Sequence, residues 1–178
     1  MTTMSPQILG LAGWSGSGKT TLVRALIPAL VARGVRVSTV KHAHHAFDVD
    51  TPGKDSYEHR AAGAGEVLVS SAHRWALMHE NRGAPEATLD QLVAKLAPCD
   101  LVLVEGFKAG AHDKLEIHRP SVGKPLLAAE DPHVVAVASD EPLPELRLPR
   151  LDLNDVEGIA AFVLAHTGLD RHGKSGAA

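Results

Sequence analysis

The chain has 178 residues, a length that suits one compact domain. Hydrophobic residues make up 44% and aromatics only 3%, so the core is built from Leu, Val, Ile and Ala, the material of buried strands in an α/β sheet. The formal net charge of -3 is spread over both signs without a basic run, which argues against a nucleic-acid-binding surface. The lone cysteine, Cys99, offers neither an internal disulfide nor metal-ligand spacing. Residues 1–7 lack the pattern of a signal segment, and no apolar run approaches the roughly 20 residues that span a bilayer. These features place the chain in the cytoplasm, with no membrane and no nucleic-acid partner expected.

In chain order, Ile8 to Ala12 is an apolar run ending at Gly13 and reads as a buried strand. Lys19 to Arg33 reads as a helix with Leu22, Leu26 and Leu30 on its apolar stripe and Gly34 as its stop. Pro28 interrupts it at a cost of ~3 kcal/mol, so a kink near Arg24 or an early end is expected. Val35 to Val40 alternates as a second strand, followed by a long loop from Lys41 to Ser56. A short helix is expected over Ser56 to Ala62. Glu66 to Ser70 and Trp75 to Met78 read as strands of a hairpin turning at Ala72 to Arg74. Thr88 with Gln91 forms a capping box for a helix through Leu96. Asp100 to Val104, Leu115 to His118 and Val134 to Ala138 read as strands, and a Pro-rich stretch runs from Glu141 to Arg150. Asn154 is the expected cap of a last helix that reaches His166 and stops at Gly168. The alternation predicts a mainly parallel sheet with helices on both faces in a single domain over 1–168, with a disordered tail over 169–178.

Gly13-Trp14-Ser15-Gly16-Ser17-Gly18-Lys19-Thr20 fits the P-loop pattern G-x-x-x-x-G-K-[ST] in full, between a strand and a helix. The glycines let the backbone turn its N–H groups onto phosphate oxygens, and the helix start adds its positive dipole end. Lys19 supplies charge for the β and γ phosphates. The Thr20 hydroxyl is suited to Mg²⁺, and Thr21 can bond a phosphate from the next helical position. Trp14 is outside the motif's requirements: it either shields the phosphates or caps the core.

In open parallel sheets, ligands gather at the carboxyl ends of the strands. Glu105 ends the run Leu101 to Val104, the position of a Walker-B acid, where it can hold Mg²⁺ through water, orient a water, or simply be solvated. The usual residue there is Asp. Asp48 and Asp50 follow the second strand and are either near the metal or loop-forming Asx residues. Asp140, after Ser139, sits where a base is read. A carboxylate accepts N1–H and the 2-amino group of guanine, whereas adenine has no N1–H, yet the full Asn-Lys-x-Asp motif occurs nowhere. His42, His44 and His45 cluster after the second strand, with His59 further on. Without nearby Cys they read as contacts to an anionic substrate or a partner before they read as a metal site. Lys41, Lys54, Arg60 and Lys108 accompany the same strand ends and suggest either a second anionic ligand or a solvated surface.

These segments together resemble the molybdopterin-guanine dinucleotide biosynthesis protein B (MobB) family. The match is carried by Gly13 to Leu22, by Val40-Lys41-His42-Ala43-His44-His45, by Phe47 to Ser56 running on to His59-Arg60-Ala61-Ala62-Gly63-Ala64, and by Leu103-Val104-Glu105-Gly106-Phe107-Lys108. The first segment is generic to P-loop proteins; the second and third are specific. The resemblance covers about the first two thirds of the chain, with Ser139-Asp140 as a weaker later match. It implies a homodimeric protein of parallel-sheet type that binds GTP with Mg²⁺, hydrolyses it weakly, and assists a MobA-type guanylyltransferase in joining GMP to molybdopterin. The family's nucleotide loop maps onto Gly16 to Thr21 and its acid positions onto Asp48 and Glu105. The His-Lys loop then faces molybdopterin or the partner protein. Two other readings use the same P-loop. One is a small-molecule kinase with Asp48 or Asp50 as base, for which Arg119 and Arg147 make a poor arginine-rich lid. The other is a metal-delivery GTPase that carries its ion on the histidine loop.

Overall fold

Strict alternation of side chains decides how the strands stack. The computed structural model describes residues 5–43, 47–107 and 109–170. Its strands are β1 (Gln7–Ala12), β2 (Val37–Lys41), β3 (Glu66–Ser70), β4 (Trp75–His79), β5 (Leu101–Glu105), β6 (Lys114–His118), β7 (Val134–Ser139) and β8 (Arg150–Asp152). Its helices are α1 (Lys19–Val31), α2 (Asp55–Ala61), α3 (Leu89–Val93) and α4 (Val156–Thr167). The chain packs as two compact units, one of residues 1–42 with 89–178 and one of residues 43–88.

The first unit is built on a six-stranded sheet in the order β2-β5-β1-β6-β7-β8. Every neighbouring pair in it is parallel. Leu9 and Leu11, Leu101 and Leu103, Leu115 and Ile117, and Ala136 and Ala138 share one face, because residues two apart on a strand point the same way. Leu22, Leu26 and Leu30 of α1 and Ile159, Ala160 and Val163 of α4 cover that face. On the other face Val102 and Val104 pack with Ile8, Val40, Leu89, Val93 and Leu96. The expected parallel sheet with helices on both faces is thus present. Its aliphatic layers explain how a core forms with so few aromatics.

α1 runs through Pro28 to Val31, so the proline does not end it early. Packing of Leu26, Ala29 and Leu30 outweighs the single lost backbone bond. α3 stops at Val93, shorter than the run to Leu96 suggests. β8 emerges from the end of the Pro-rich stretch, where nothing in the local pattern marks a strand; pairing with β7 creates it. The cap of α4 is Asp155, whose Oδ1 accepts from the Gly158 N–H at 2.9 Å, and not Asn154. Gly168 closes α4 in the left-handed conformation as expected.

The second unit holds α2 and the antiparallel hairpin β3-β4, paired with Leu68 opposite Leu77 and Ser70 opposite Trp75. Leu68, Leu77 and Trp75 lie on one face of it and are exposed. Of the tail expected over 169–178, residues 171–178 lie outside the described residues.

Because Asp155 carries the α4 cap, Asp155→Ala is expected to cost about 1 kcal/mol in urea unfolding, and Asn154→Ala to stay within about 0.3 kcal/mol. Equal losses in the two variants would remove Asp155 from the cap.

Candidate functional site

All-parallel pairing sends the C-terminal ends of the sheet's strands to a single edge. In register, Leu11 of β1 lies beside Glu105 of β5, which lies beside Lys41 of β2. On the other side Ala12 pairs with Glu116 of β6, and His118 pairs with Ser139 of β7. Gly13 to Gly18, Lys41-His42, Glu105-Gly106, Arg119 and Asp140 therefore all leave the sheet at this edge.

The glycine loop is held by close approach. Gly13 has φ 149°, and a Cβ there would stand 2.4 Å from the Ile117 carbonyl oxygen of β6 and 2.7 Å from Ser17 Oγ. Gly18 caps α1 in the left-handed region at φ 95°, and the first helical bond runs from Leu22 N–H to its carbonyl at 2.9 Å. Ser17 is buried, while Ser15, Gly16, Thr20 and Thr21 are exposed. Lys19 Nζ donates to the carbonyls of Gly13 at 2.6 Å and Trp14 at 2.8 Å, so the lysine tip lies inside the curl of the loop. Trp14 donates from its indole to Pro125 O at 2.8 Å, with Lys124 5.7 Å from its ring centroid. This ties Trp14 to the segment after β6 rather than to the core, the second of the two roles considered for it.

Glu105 ends β5 beside the strand that leads into the loop. Its carbonyl accepts from His42 N–H at 2.8 Å. Gly106 follows at φ 88°, where a Cβ would meet His42 Cβ at 2.5 Å, and Phe107 follows at φ 47° with its ring 5.0 Å from that of His42. Gly106 takes its conformation freely, whereas Phe107, a non-glycine at positive φ, stores strain beside a carboxylate at the C-terminal edge of the sheet. His42 is thereby a packing partner of the Gly106-Phe107 turn, while Lys41 is exposed.

Arg119 joins two parts of the edge. Its Nε donates to Ser17 O at 3.2 Å, and its Nη1 bonds Asp140 Oδ2. Asp140 is mostly buried, and its Oδ1 has no hydrogen-bond partner among the described residues.

In the second unit, Arg60 is the hub of a carboxylate cluster. Its Nη2 donates to both oxygens of Asp48 at 2.9 and 2.8 Å, its Nη1 to Glu80 Oε1 at 2.8 Å, and its Nε lies 3.4 Å from Asp50 Oδ2. Asp50 Oδ1 accepts from Thr51 N–H and Ser56 Oγ, each at 2.9 Å. Hydrogen bonds from Arg60 hold the Asp48 carboxyl below the usual carboxylate range, and Asp48, then Glu80, push the Arg60 guanidinium up. Asp48, read from sequence as near the metal or loop-forming, and Arg60, read as a candidate contact to an anionic ligand or the partner, pair with each other before α2. Lys54 is exposed at the start of α2. His44, His45 and Lys108 lie outside the described residues. Among the described residues no group of three or more His, Cys, Asp or Glu side chains forms a metal site, and no helix is long and apolar enough to cross a membrane.

The sequence profile described as molybdopterin guanine dinucleotide synthesis protein B matches residues 8–140. The chain belongs to that family. It is 51% identical over 165 residues to the molybdopterin-guanine dinucleotide biosynthesis adapter protein of Escherichia coli K12, covering 91% of this chain and 93% of that one. It is 44% identical over 158 residues to the adapter protein of the same name in Haemophilus influenzae, covering 88% and 86%. A crystal structure of molybdopterin-guanine biosynthesis protein B superposes with a TM-score of 0.71 at 28% identity, covering 89% of this chain and 99% of that one. The Bacillus subtilis MobB crystal structure superposes with a TM-score of 0.71 at 25% identity, covering 90% and 98%.

The MobB match includes every edge residue named above, Arg119 among them, although sequence reasoning gave Arg119 no place at the loop. Its signal was positional: it directly follows a strand, as Glu105 and Asp140 close or follow theirs. Glu116 was missed as well. It is fully buried in β6, and its two oxygens accept from Leu127 N–H and Ala128 N–H at 2.8 Å each, holding the segment after Arg119 against the sheet.

The Asp48–Arg60 pair sets a pH dependence. A carboxylate whose folded pKa lies below its unfolded value contributes stability above the unfolded value, near 3.8, and loses it as pH falls through the folded one. In a carbon-detected carboxyl titration Asp48 is expected to titrate below pH 3.8, and in Arg60→Gln to move up toward that value. An unchanged Asp48 midpoint in the variant would break the assignment.

Proposed function

We propose that this chain is a guanine-nucleotide-binding adapter of molybdopterin guanine dinucleotide biosynthesis, with slow Mg²⁺-dependent GTP hydrolysis. One observation carries the reading: in a chain of this family, the glycine loop with Lys19, the strand-end acid Glu105 and the strand-end acid Asp140 leave one edge of one parallel sheet. The loop backbone and the start of α1 hold the triphosphate, and Lys19 turns from the carbonyls of Gly13 and Trp14 to the phosphates. Gly16 to Thr21 line that contact, and Asp140 reads the base.

Mg²⁺ asks for oxygen donors. The Thr20 hydroxyl, in the first turn of α1, and the Glu105 carboxylate fit, whereas the Asp48 carboxylate is engaged by Arg60. Thr20 and Glu105 would hold the ion, which when bound would offset charge on the phosphate oxygens. Glu105 orients water at the strand end. Catalysis at such a loop rests mainly on positioning and charge stabilisation, which suits slow hydrolysis and an adapter role for the chain acting alone. The expected partners are molybdopterin, a MobA-type guanylyltransferase and a second copy of the chain. The exposed apolar face of Leu68, Leu77 and Trp75 supports a protein-docking role. Lys41 and His42 at the sheet edge, and independently Lys54 of the second unit, are candidate contacts to the pterin phosphate or the partner; His44 and Lys108, candidates for the same role, lie outside the described residues.

Calorimetric titration with GTP and with ATP in Mg²⁺ tests the reading. A GTP preference of about tenfold or more, equal to about 1.4 kcal/mol, supports it. Equal or tighter ATP binding would favour a small-molecule kinase instead. Lys19→Ala is expected to weaken GTP by about a hundredfold or more, because the charge that meets the phosphates goes. Unchanged affinity would sink the site. Glu105→Gln is expected to leave GTP affinity within about threefold and slow single-turnover hydrolysis by about tenfold or more. Equal rates in variant and parent would take Glu105 out of the chemistry.

A further inference from the structure

The segment that leaves β6 runs back along the glycine loop in reverse order. Arg119 Nε donates to Ser17 O at 3.2 Å. Val122 lies against Gly16, where a Cβ would stand 3.9 Å from Val122 Cγ2. Lys124 Nζ lies 5.7 Å from the centre of the Trp14 ring, and Pro125 O accepts from Trp14 Nε1 at 2.8 Å. Residues 119–125 are therefore a strap laid along the loop, from its helix end to its strand end. The strap is stiff and held at both ends. Pro120 and Pro125 fix their own φ angles. Gly123 turns the chain at φ 67°, with its N–H on Pro120 O at 2.9 Å. At the near end Arg119 bonds Asp140. Beyond the far end, buried Glu116 accepts from Leu127 N–H and Ala128 N–H at 2.8 Å each. The loop has the opposite character: Gly13, Gly16 and Gly18 all sit at positive φ, and glycine loses the most freedom when it is ordered. Trp14 is where the two join. Its indole, a donor without an acceptor, is on Pro125, while its carbonyl accepts from Ser17 N–H at 3.2 Å and from Lys19 Nζ at 2.8 Å. The side-chain bond thus fixes the residue whose carbonyl closes the curl of the loop.

We infer that Trp14 is a positioning residue: its indole anchors the glycine loop to the strap and holds the loop ordered for a nucleoside di- or triphosphate. This rests on the reading of the loop as a phosphate site. The P-loop pattern asks for no particular residue at this position, so the tether is this chain's own addition to it. Ordering that a loop undergoes during binding is subtracted from affinity, whereas order set beforehand is not. The tether acts on the backbone that surrounds the phosphates and touches neither the base nor one phosphate in particular. It therefore raises affinity for diphosphate and triphosphate alike. Coupling of this kind is reciprocal: the factor by which the tether favours phosphate binding is the factor by which bound phosphate keeps the tether closed.

The experiment is calorimetry of the full chain with GTP and with GDP in Mg²⁺. It compares the parent with Trp14→Phe, which keeps an aromatic ring and loses the donor, with Glu116→Gln, which loosens the strap beyond its far end, and with the double variant. Trp14→Phe is expected to weaken both nucleotides about fivefold, the worth of one net hydrogen bond, and to leave their ratio within about twofold of the parent's. Glu116→Gln is expected to weaken both about threefold alone and by less than about twofold on top of Trp14→Phe, because the strap acts on the loop through the tether. A purely structural role would lower the unfolding midpoint and leave the affinities and their coupling unmoved. A second measurement uses the parent's own Trp14: exchange of its indole N–H, followed by NMR and told from that of Trp75 with Trp75→Phe. Saturating GDP is expected to slow that exchange about fivefold. A Trp14→Phe chain that binds GTP and GDP as tightly as the parent would overturn the proposal. Fully additive losses in the double variant would overturn it, and so would an indole exchange indifferent to GDP. A parent that binds neither nucleotide would remove the reading of the loop, and this inference with it. The exchange measurement leaves Trp14 in place, so a poorly folded Trp14→Phe still leaves the test decisive.

Discussion

The site depends on one close approach, that of Gly13 to the Ile117 carbonyl of β6. A Cβ at Gly13 would stand 2.4 Å from that oxygen, so the loop can lie against the strand only because the residue has no side chain. Much else hangs on this seat. It fixes where α1 begins, keeps the Lys19 tip within reach of the loop carbonyls, and puts Ser17 O beside the residue that follows β6. β6 is therefore both the wall behind the loop and the strand that delivers Arg119.

β6 meets this double demand with an unusual composition. Its Leu115 and Ile117 join the aliphatic layer under α1 and α4, whereas Lys114, Glu116 and His118 are buried on the opposite face. Burying charge is costly unless it is paired and hydrogen-bonded. Here Lys114 Nζ reaches Gly110 O at 2.7 Å and Asp131 Oδ2 at 2.8 Å, and Glu116 accepts two backbone N–H groups. Those same bonds pin the segment from 119 to 131 onto the sheet, and that segment carries Pro125, the acceptor of the Trp14 indole. The polar face of β6 thus steadies the loops at the C-terminal edge as well as the sheet.

The second unit follows different physics. It has a short helix and a two-stranded hairpin with few buried side chains, and a hairpin alone is marginal in water. Its order rests instead on a charge hub: Arg60 bound by Asp48, Asp50 and Glu80, with Arg82 donating to the Arg60 and Ala64 carbonyls at 2.8 and 2.9 Å. A unit held by polar bonds can keep apolar side chains such as Leu68 and Trp75 at its surface, where a partner can cover them.

Local pattern was enough for the elements with a strong period and for the loop. The apolar runs before Gly13, Glu105 and Ser139, the spacing of Leu22, Leu26 and Leu30, and the stop at Gly168 all follow from alternation, helical period and glycine's freedom at positive φ. Those signals are carried by neighbours in the chain. The family, too, was legible in short ordered segments. What required the tertiary structure was every relation between residues far apart in sequence. β8 exists because β7 pairs with it, α1 passes through Pro28 because the core holds it, and Glu116 is buried because the 127–128 backbone covers it. The pairing of Asp48 with Arg60 turned two separate candidate site residues into one brace. Strand order put Arg119 between Ser17, 102 positions before it, and Asp140, 21 positions after it. Sequence determines which chemistry is available at each strand end; only the parallel register decides which of those ends meet, because it alone sets their order along the edge.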